Sequence, residues 1–466
     1  MASNTFDILV LGGGPAGYPA AIRATQLGLS AAVIEREKLG GVCVNIGCIP
    51  TKALLHSAAM ANIIRKDARE LGIETGEVKT DYGVAMKRSR KVAEQNSKGV
   101  EFLMKKNKIM VIKGTGVLTS KNTIQVGETQ YTATKAIVIA TGSRTKGIPP
   151  VGLTVNKTSV ITSDEALFLE RAPKTLAVVG AGAVGSEFAD IFNAFGSEVT
   201  LIEAMPRVLP IEDAESSDVI GKSFKKRGIN VLAGVKVVKA EVSDASVTLH
   251  LEVAGKTQTV TAEKVLMAAG RAVNTEDIGL EKVGVKLTDR GFIQIDPTTL
   301  QTSVPGIYAI GDVAGAPMLA HKGTREGVHV AEIIAGHHPK AIDYSNVPSV
   351  TYCHPEVASI GLTEEQAKEQ GLDYQVGRFP FSANGRARAS NETDGFVKII
   401  RDKKYGEILG AHIVGGHASE MIHELILART NEYTVEEIDL AIHAHPTLSE
   451  GIAEAALDSL GRAVHI

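Results

Sequence analysis

Tryptophan is absent, aromatic residues make up 4% of the chain, and only three of the 466 residues are cysteine. So few cysteines exclude a disulfide-stapled scaffold of the small secreted kind. No apolar run reaches about 18 residues, so no membrane-spanning helix is expected. Charge of one sign is also lacking. The formal net charge is -3, which gives no field for nucleic acid or an anionic lipid surface. There is no low-complexity linker and no charged tail. No positively charged leader precedes the first apolar run, Asp7–Leu11. The chain as given therefore shows no export or transit signal, and a cytoplasmic location is expected. An organellar matrix protein with its leader removed would read the same way.

Glycine, by contrast, is plentiful at 47 residues, which suits tight turns and phosphate loops. The length predicts about three domains. The opening reads strand, turn, helix, strand: Asp7–Leu11, Gly12-Gly-Gly-Pro-Ala-Gly17, a helix to about Leu27, then Ala31–Glu35. The same βαβ pattern recurs as Thr175–Val179, Gly180-Ala-Gly-Ala-Val-Gly185, Ser186–Phe195 and Glu198–Glu203. In a Gly-x-Gly-x-x-Gly turn the first glycine makes the bend and the second lets backbone approach a pyrophosphate. The third allows close helix–strand packing, and the helix N-terminus favours the anion. Glu35 and Glu203 end the second strands at the same spacing, where a carboxylate accepts hydrogen bonds from a ribose diol. A carboxylate there suits NAD and repels the extra phosphate of NADP; Arg207, four residues on, slightly weakens that inference. Pro19 breaks the local rule and is expected to kink the first helix or shift its start.

The segment Leu39-Gly-Gly-Val-Cys43-Val-Asn-Ile-Gly-Cys48-Ile-Pro-Thr-Lys52 follows the first βαβ unit directly. Five residues of regular helix rise about 7.5 Å, beyond the roughly 7 Å Cα limit for a disulfide. A Cys43–Cys48 bridge thus requires an irregular helix start. Pro50, which cannot donate to the Ile46 carbonyl, supplies a cause, and Gly47 adds flexibility. Two buried structural thiols, or half a zinc site without its other ligands, are the competing readings.

From about residue 346 the texture changes to a hairpin, Gly395–Ile400 with Gly406–Val414, followed by helices near 417–429, 434–442 and 449–460. Between the last two lies His443-Ala-His445-Pro-Thr-Leu-Ser-Glu450. A histidine with a carboxylate nearby is a base with an orienting partner. The competing reading of His445 is a surface histidine capping the following helix, and for His443 that bland reading is preferred. Cys353 has no cysteine neighbour and reads as an incidental buried thiol.

In this order along the chain, Gly40–Lys52, the strand end Gly311-Asp312 and the His445–Glu450 block resemble the class I pyridine nucleotide–disulfide oxidoreductases. The resemblance covers essentially the whole chain and is nearest to the lipoamide-oxidising members. It implies an α/β fold with two Rossmann-like nucleotide-binding domains and a C-terminal α+β dimerisation domain. Residues 1–148 and 275–345 would form the FAD-binding and central part, 149–274 the NAD-binding domain and 346–466 the dimerisation domain. FAD would meet Gly12, Gly14, Gly17, Glu35, Lys52, Gly114, Gly142 and Asp312, with Met318, Leu319, Ala320 and His321 along the flavin. NAD would meet Gly180, Gly182, Gly185, Glu203 and Gly270. Cys43 would exchange with substrate and Cys48 would face the flavin. His445, oriented by Glu450, would be the base serving the other subunit of a homodimer. No metal is implied.

The reaction implied is oxidation of protein-bound dihydrolipoamide with NAD+. Its partners would be lipoyl-bearing proteins and the acyltransferase core of 2-oxo-acid dehydrogenase complexes, or the glycine-cleavage system. Alternatives are a glutathione-type disulfide reductase and a mainly structural subunit. Thr51, where serine is more usual, and Pro19 depart from the family pattern without touching the proposed chemistry.

Overall fold

The computed structural model describes residues 4–253 and 255–466. The expected first segment begins at residue 1, and residues 1–3 lie outside the described ones. The chain forms two compact units. One contains Met1–Ala53, Met86–Lys146 and Gly270–Ile342; the other contains Leu54–Ala85, Gly147–Ala269 and Asp343–Ile466.

The first unit is built on β1 (Thr5–Leu11), α1 (Gly17–Gln26) and β2 (Ala31–Glu35). β1 lies between β2 and the strand Thr129–Ile139, parallel to both. Met110–Lys113 extends the sheet beyond β2, and Ile307–Ala309 pairs parallel with Thr129–Ile139. Alternation along β1 loads both faces. Ile8 and Val10 pack with Ala20, Ala21 and Ala24 of α1, while Leu9 and Leu11 pack with Leu118, Ile124 and Ile278. A parallel sheet covered on both faces needs this continuous apolar run. The register aligns Leu11 with Ile34, Leu11 with Ile139, and Ile139 with Ala309. The chain therefore leaves the sheet at Gly12, Ala140 and Ile310 along one carboxyl edge, where ligands bind in open α/β sheets.

Pro19 is the third residue of α1, inside the first turn, where a proline is best tolerated. Pro15, whose carbonyl would have met residue 19 in an extended helix, accepts the Thr324 hydroxyl instead at 2.9 Å.

In the second unit five parallel strands run in the order Asn230–Ala233, Glu198–Glu203, Thr175–Val179, Lys264–Met267, Val160–Thr162. A three-stranded antiparallel sheet, Lys236–Val242, Val247–Val253 and Lys256–Ala262, is inserted before the fourth of these. The C-terminal part is a five-stranded antiparallel sheet carrying the hairpin Phe396–Asp402 and Ile408–Gly415. Ala418–Thr430, Val435–Leu440 and Glu450–Ser459 pack on it around Phe379, Phe381, Ile399, Ile413, Ile422 and Ile452. Among the described residues no helix is long and apolar enough to cross a membrane.

Candidate redox centre and nucleotide sites

Cys43 lies in α2 (Gly41–Ile46) and Cys48 is the first residue of α3 (Cys48–Lys66). Gly47 separates the two helices with φ -141° and ψ -116°. This break replaces the rise of a continuous helix, and the two Cα atoms lie 4.7 Å apart, joined by a disulfide. The residue must be glycine because the chain folds back on itself there. A Cβ on Gly47 would stand 2.9 Å from the Val42 carbonyl oxygen and 3.1 Å from the Cys43 Cα. Pro50 falls in the first turn of α3, where its missing donor costs nothing. It marks the helix start, and Gly47 carries the irregularity. The Thr51 hydroxyl donates to the Gly47 carbonyl at 2.7 Å. Buried Asn45 ties α2 down, donating to the Leu39 and Gly41 carbonyls at 3.0 and 2.9 Å. Ser97 and Arg90 also reach this segment, donating to the Leu39 and Asn45 carbonyls.

The two glycine turns repeat one geometry. Gly12 has φ +108° and Gly180 φ +103°, in the region that favours glycine. A Cβ on Gly17 would fall on the Gly12 carbonyl oxygen, and one on Gly185 on the Gly180 carbonyl oxygen. The third glycine thus packs against the first. Around Gly182 a Cβ would meet nothing within 4 Å, and around Gly14 only the Gly41 Cα at 3.9 Å. Neither following helix carries a side-chain cap or an acid in its first turn. Open backbone and an uncapped N-terminus fit a dinucleotide pyrophosphate in both turns. Gly185→Ala is expected to cost about 1–3 kcal/mol by overpacking, measured by urea unfolding against the wild type.

The acids close these turns. Glu35 accepts from the N–H groups of Gly13 and Glu37 at 2.7 and 2.8 Å, and Glu203 from those of Ala181 and Met205 at the same distances. Each carboxylate is thereby fixed with lone pairs left for a ribose diol. Arg207 is engaged elsewhere. Its Nη1 lies 2.5 Å from the Glu365 carboxylate and its Nη2 donates to the Glu212 carbonyl at 3.1 Å. That removes the reservation it raised against NAD.

Around the first turn, Gly114 (φ +147°) donates to the Glu35 carbonyl at 2.9 Å, and Gly142 (φ +70°) borders open space. Asp312 accepts a hydrogen bond from the Ser143 hydroxyl. Met318, Leu319 and Ala320 are half-buried at the start of the helix Ala320–Ile334, while His321 is exposed. Gly270 (φ +107°) lies three residues past the end of the strand Lys264–Met267. Ser143, Arg271, Lys322 and Glu326 were not singled out from sequence. Lys322 and Glu326 sit at the helical i,i+4 spacing of an exposed pair, yet both side chains are only 1% exposed.

His445 and Glu450 are brought together. His445 Nδ1 donates to the Glu450 carboxylate at 2.8 Å, and that carboxylate also takes the Thr447 N–H at 2.7 Å. Burial works against the charge on Glu450, but the Thr447 N–H and the His445 ring outweigh it and hold the carboxyl below its usual range. With Nδ1 committed as donor, the neutral ring offers its lone pair at Nε2. The His445 side chain is 78% exposed.

His443 is no bland surface residue. Its Nε2 faces Glu424 at 2.8 Å and its Nδ1 the Ala441 carbonyl at 2.9 Å. Both partners are acceptors, which favours the doubly protonated ring. The bond to Glu424 raises its pKa, against an opposing effect of burial. A raised folded-state pKa gives stability that is full below about pH 6.5, the unfolded value, and is lost as pH rises through the folded value. Urea midpoints are therefore expected to fall more from pH 6 to pH 9 in the wild type than in His443→Gln. Cys353 is fully buried, and burial pushes its thiol well up.

The model of the pyridine nucleotide-disulphide oxidoreductases matches residues 6–327, over half of the chain. The chain belongs to this family. FAD and NAD are its cofactors. The dimerisation domain of the pyridine nucleotide-disulphide oxidoreductases matches residues 347–456 and supports a homodimer. Among curated relatives, dihydrolipoyl dehydrogenase of Mycobacterium leprae is 46% identical over 99% of both chains. That of Corynebacterium glutamicum is 46% identical over 97% of both. Among solved structures, LpdA from Mycobacterium tuberculosis superposes with a TM-score of 0.88 at 27% identity, covering 96% of this chain and 98% of that one. The HOCl-induced flavoprotein disulfide reductase RclA from Escherichia coli gives 0.85 at 29%, with coverage of 96% and 98%.

Proposed function

We propose that this oxidoreductase oxidises protein-bound dihydrolipoamide to lipoamide and reduces NAD+, working as a homodimer. The observation that carries this reading is the Cys43–Cys48 disulfide within a chain 46% identical, end to end, to a dihydrolipoyl dehydrogenase. Residues 1–148 and 275–345 are assigned to FAD, 149–274 to NAD and 346–466 to dimerisation. The FAD contacts are Gly12, Gly14, Gly17, Glu35, Lys52, Gly114, Gly142, Asp312 and residues 318–321; the NAD contacts are Gly180, Gly182, Gly185, Glu203 and Gly270. FAD held by these residues would supply the two-electron carrier between the reduced cysteines and NAD+.

The protein's own groups perform the exchange. His445 Nε2 takes the proton of one substrate thiol, while Glu450 holds the ring and steadies its positive charge. The substrate thiolate attacks Cys43 Sγ, the Cys43–Cys48 bond breaks, and Cys48 leaves as a thiolate. The second substrate thiol attacks the sulfur bonded to Cys43, releasing cyclic lipoamide and the Cys43 thiol. His445 serves the cysteines of the other protomer in this reading. Its exposed ring stands near Leu440 and Ile442 in the chain, apolar residues that are 79% and 100% exposed and await a cover.

Lipoyl-bearing domains of 2-oxo-acid dehydrogenase or glycine-cleavage complexes are the proposed partners, in the cytoplasm or an organellar matrix. The RclA likeness favours a second reading as a reductase of another disulfide. The purified holoenzyme, assayed with dihydrolipoamide plus NAD+ and with oxidised glutathione plus NADH or NADPH, decides between them. Turnover with glutathione alone would overturn the proposal.

A further inference from the structure

Asp312 is gripped from two directions. Its turn is held by the buried pair Lys322–Glu326: Glu326 accepts from the Gly311 N–H at 2.7 Å, and Lys322 Nζ donates to the Gly311 and Gly315 carbonyls at 3.1 and 2.9 Å. Its side chain is held from another part of the first unit. Ser143–Thr145 and Arg271–Val273 form a two-stranded antiparallel ladder, with Val273 opposite Ser143. Arg271 Nε donates to the Ser143 Oγ at 2.6 Å and its Nη2 to the Ser143 carbonyl at 2.8 Å. The Ser143 hydroxyl has one proton. Because Arg271 has no acceptor, its Nε–H must donate to Oγ, and the Ser143 proton is directed to Asp312 Oδ2. Ser143 is only 3% exposed, so water does not compete for this hydrogen bond.

We propose that Ser143 and Arg271 are positioning residues that form a one-way relay: Arg271 sets Ser143, and Ser143 sets the Asp312 carboxylate for the ribityl hydroxyls of FAD. One Asp312 oxygen is committed to the relay, which leaves the other for the cofactor. Preorganisation of this kind lowers the cost of fixing the acceptor when the cofactor arrives. The inference rests on the assignment of Asp312 to FAD.

The test is release of FAD from the holoenzyme, followed by recovery of free-flavin fluorescence. Asp312→Ala is the reference. Ser143→Ala is expected to release FAD about tenfold faster, the loss of one charge-assisted hydrogen bond. Arg271→Gln should show a smaller acceleration in the same direction, and it keeps the test open should Ser143→Ala fail to fold. The double variant Ser143→Ala/Asp312→Ala should release FAD no faster than Asp312→Ala alone, because Ser143 acts only through that carboxylate. A merely structural serine would instead give additive losses and lower the thermal stability of the FAD-free protein. Additive losses, or unchanged release in both Ser143→Ala and Arg271→Gln, would overturn the relay. Unchanged release in Asp312→Ala would overturn the FAD assignment itself.

Discussion

Cys48→Ser is expected to abolish dihydrolipoamide:NAD+ turnover while leaving NADH oxidation by an artificial acceptor such as ferricyanide within a few-fold of wild type. The substrate thiolate needs a sulfur–sulfur bond to attack, and serine cannot provide one. Losses on the order of 10⁴-fold or more follow when a covalent centre is removed. The protein should still fold. A bridge across so short a loop contributes only about 2 kcal/mol by the chain-entropy estimate, and the α2–α3 break also rests on Asn45 and Thr51. Parallel assays of the two activities check this, with circular dichroism confirming the fold. Lipoamide turnover surviving at the wild-type rate would remove the pair from the mechanism.

His445→Gln should slow dihydrolipoamide oxidation by about 10²–10⁴-fold, the usual contribution of a positioned general base, with little change in NADH oxidation by ferricyanide. The deficit should shrink as pH rises towards about 8.5 and beyond, where substrate thiols ionise without a base. Equal slowing of both activities would point to a different base. The same variant also tests the pairing of protomers. In a heterodimer of Cys48→Ser and His445→Gln chains, a site shared between protomers is intact once: the cysteines of one chain meet the histidine of the other. Unfolding and co-refolding the two inactive variants together should then restore part of the activity. If each chain served its own cysteines, every site would stay defective and no activity would return.

Much of the machinery was legible because it obeys local rules. The Gly-x-Gly-x-x-Gly turns and their terminal acids are dictated by backbone geometry within one βαβ unit, and Gly12, Gly17, Gly180 and Gly185 all occupy positions where a Cβ would meet backbone. The need for a break between Cys43 and Cys48 followed from helical rise alone. Its location at Gly47, with Pro50 merely starting α3, was not legible, because either residue interrupts a helix and only the folded path decides which one does. Pro19 turns on the same point: a proline is tolerated in the first turn, so where the helix starts decides what it does.

From the sequence by itself came the two nucleotide turns and the close spacing of the cysteines, while the family and the role of the His445–Glu450 couple came from the resemblance of its motifs in their order along the chain. Tertiary structure alone decided which distant groups meet. Ser143 finds Arg271 and Asp312 across 128 and 169 positions, and His443, in a loop, finds Glu424 in the helix Ala418–Thr430. Arg207 turns to Glu365 across 158 positions. No local pattern announces such partners. They follow from strand register and from burial, which makes each polar group find a partner wherever the fold brings one within reach.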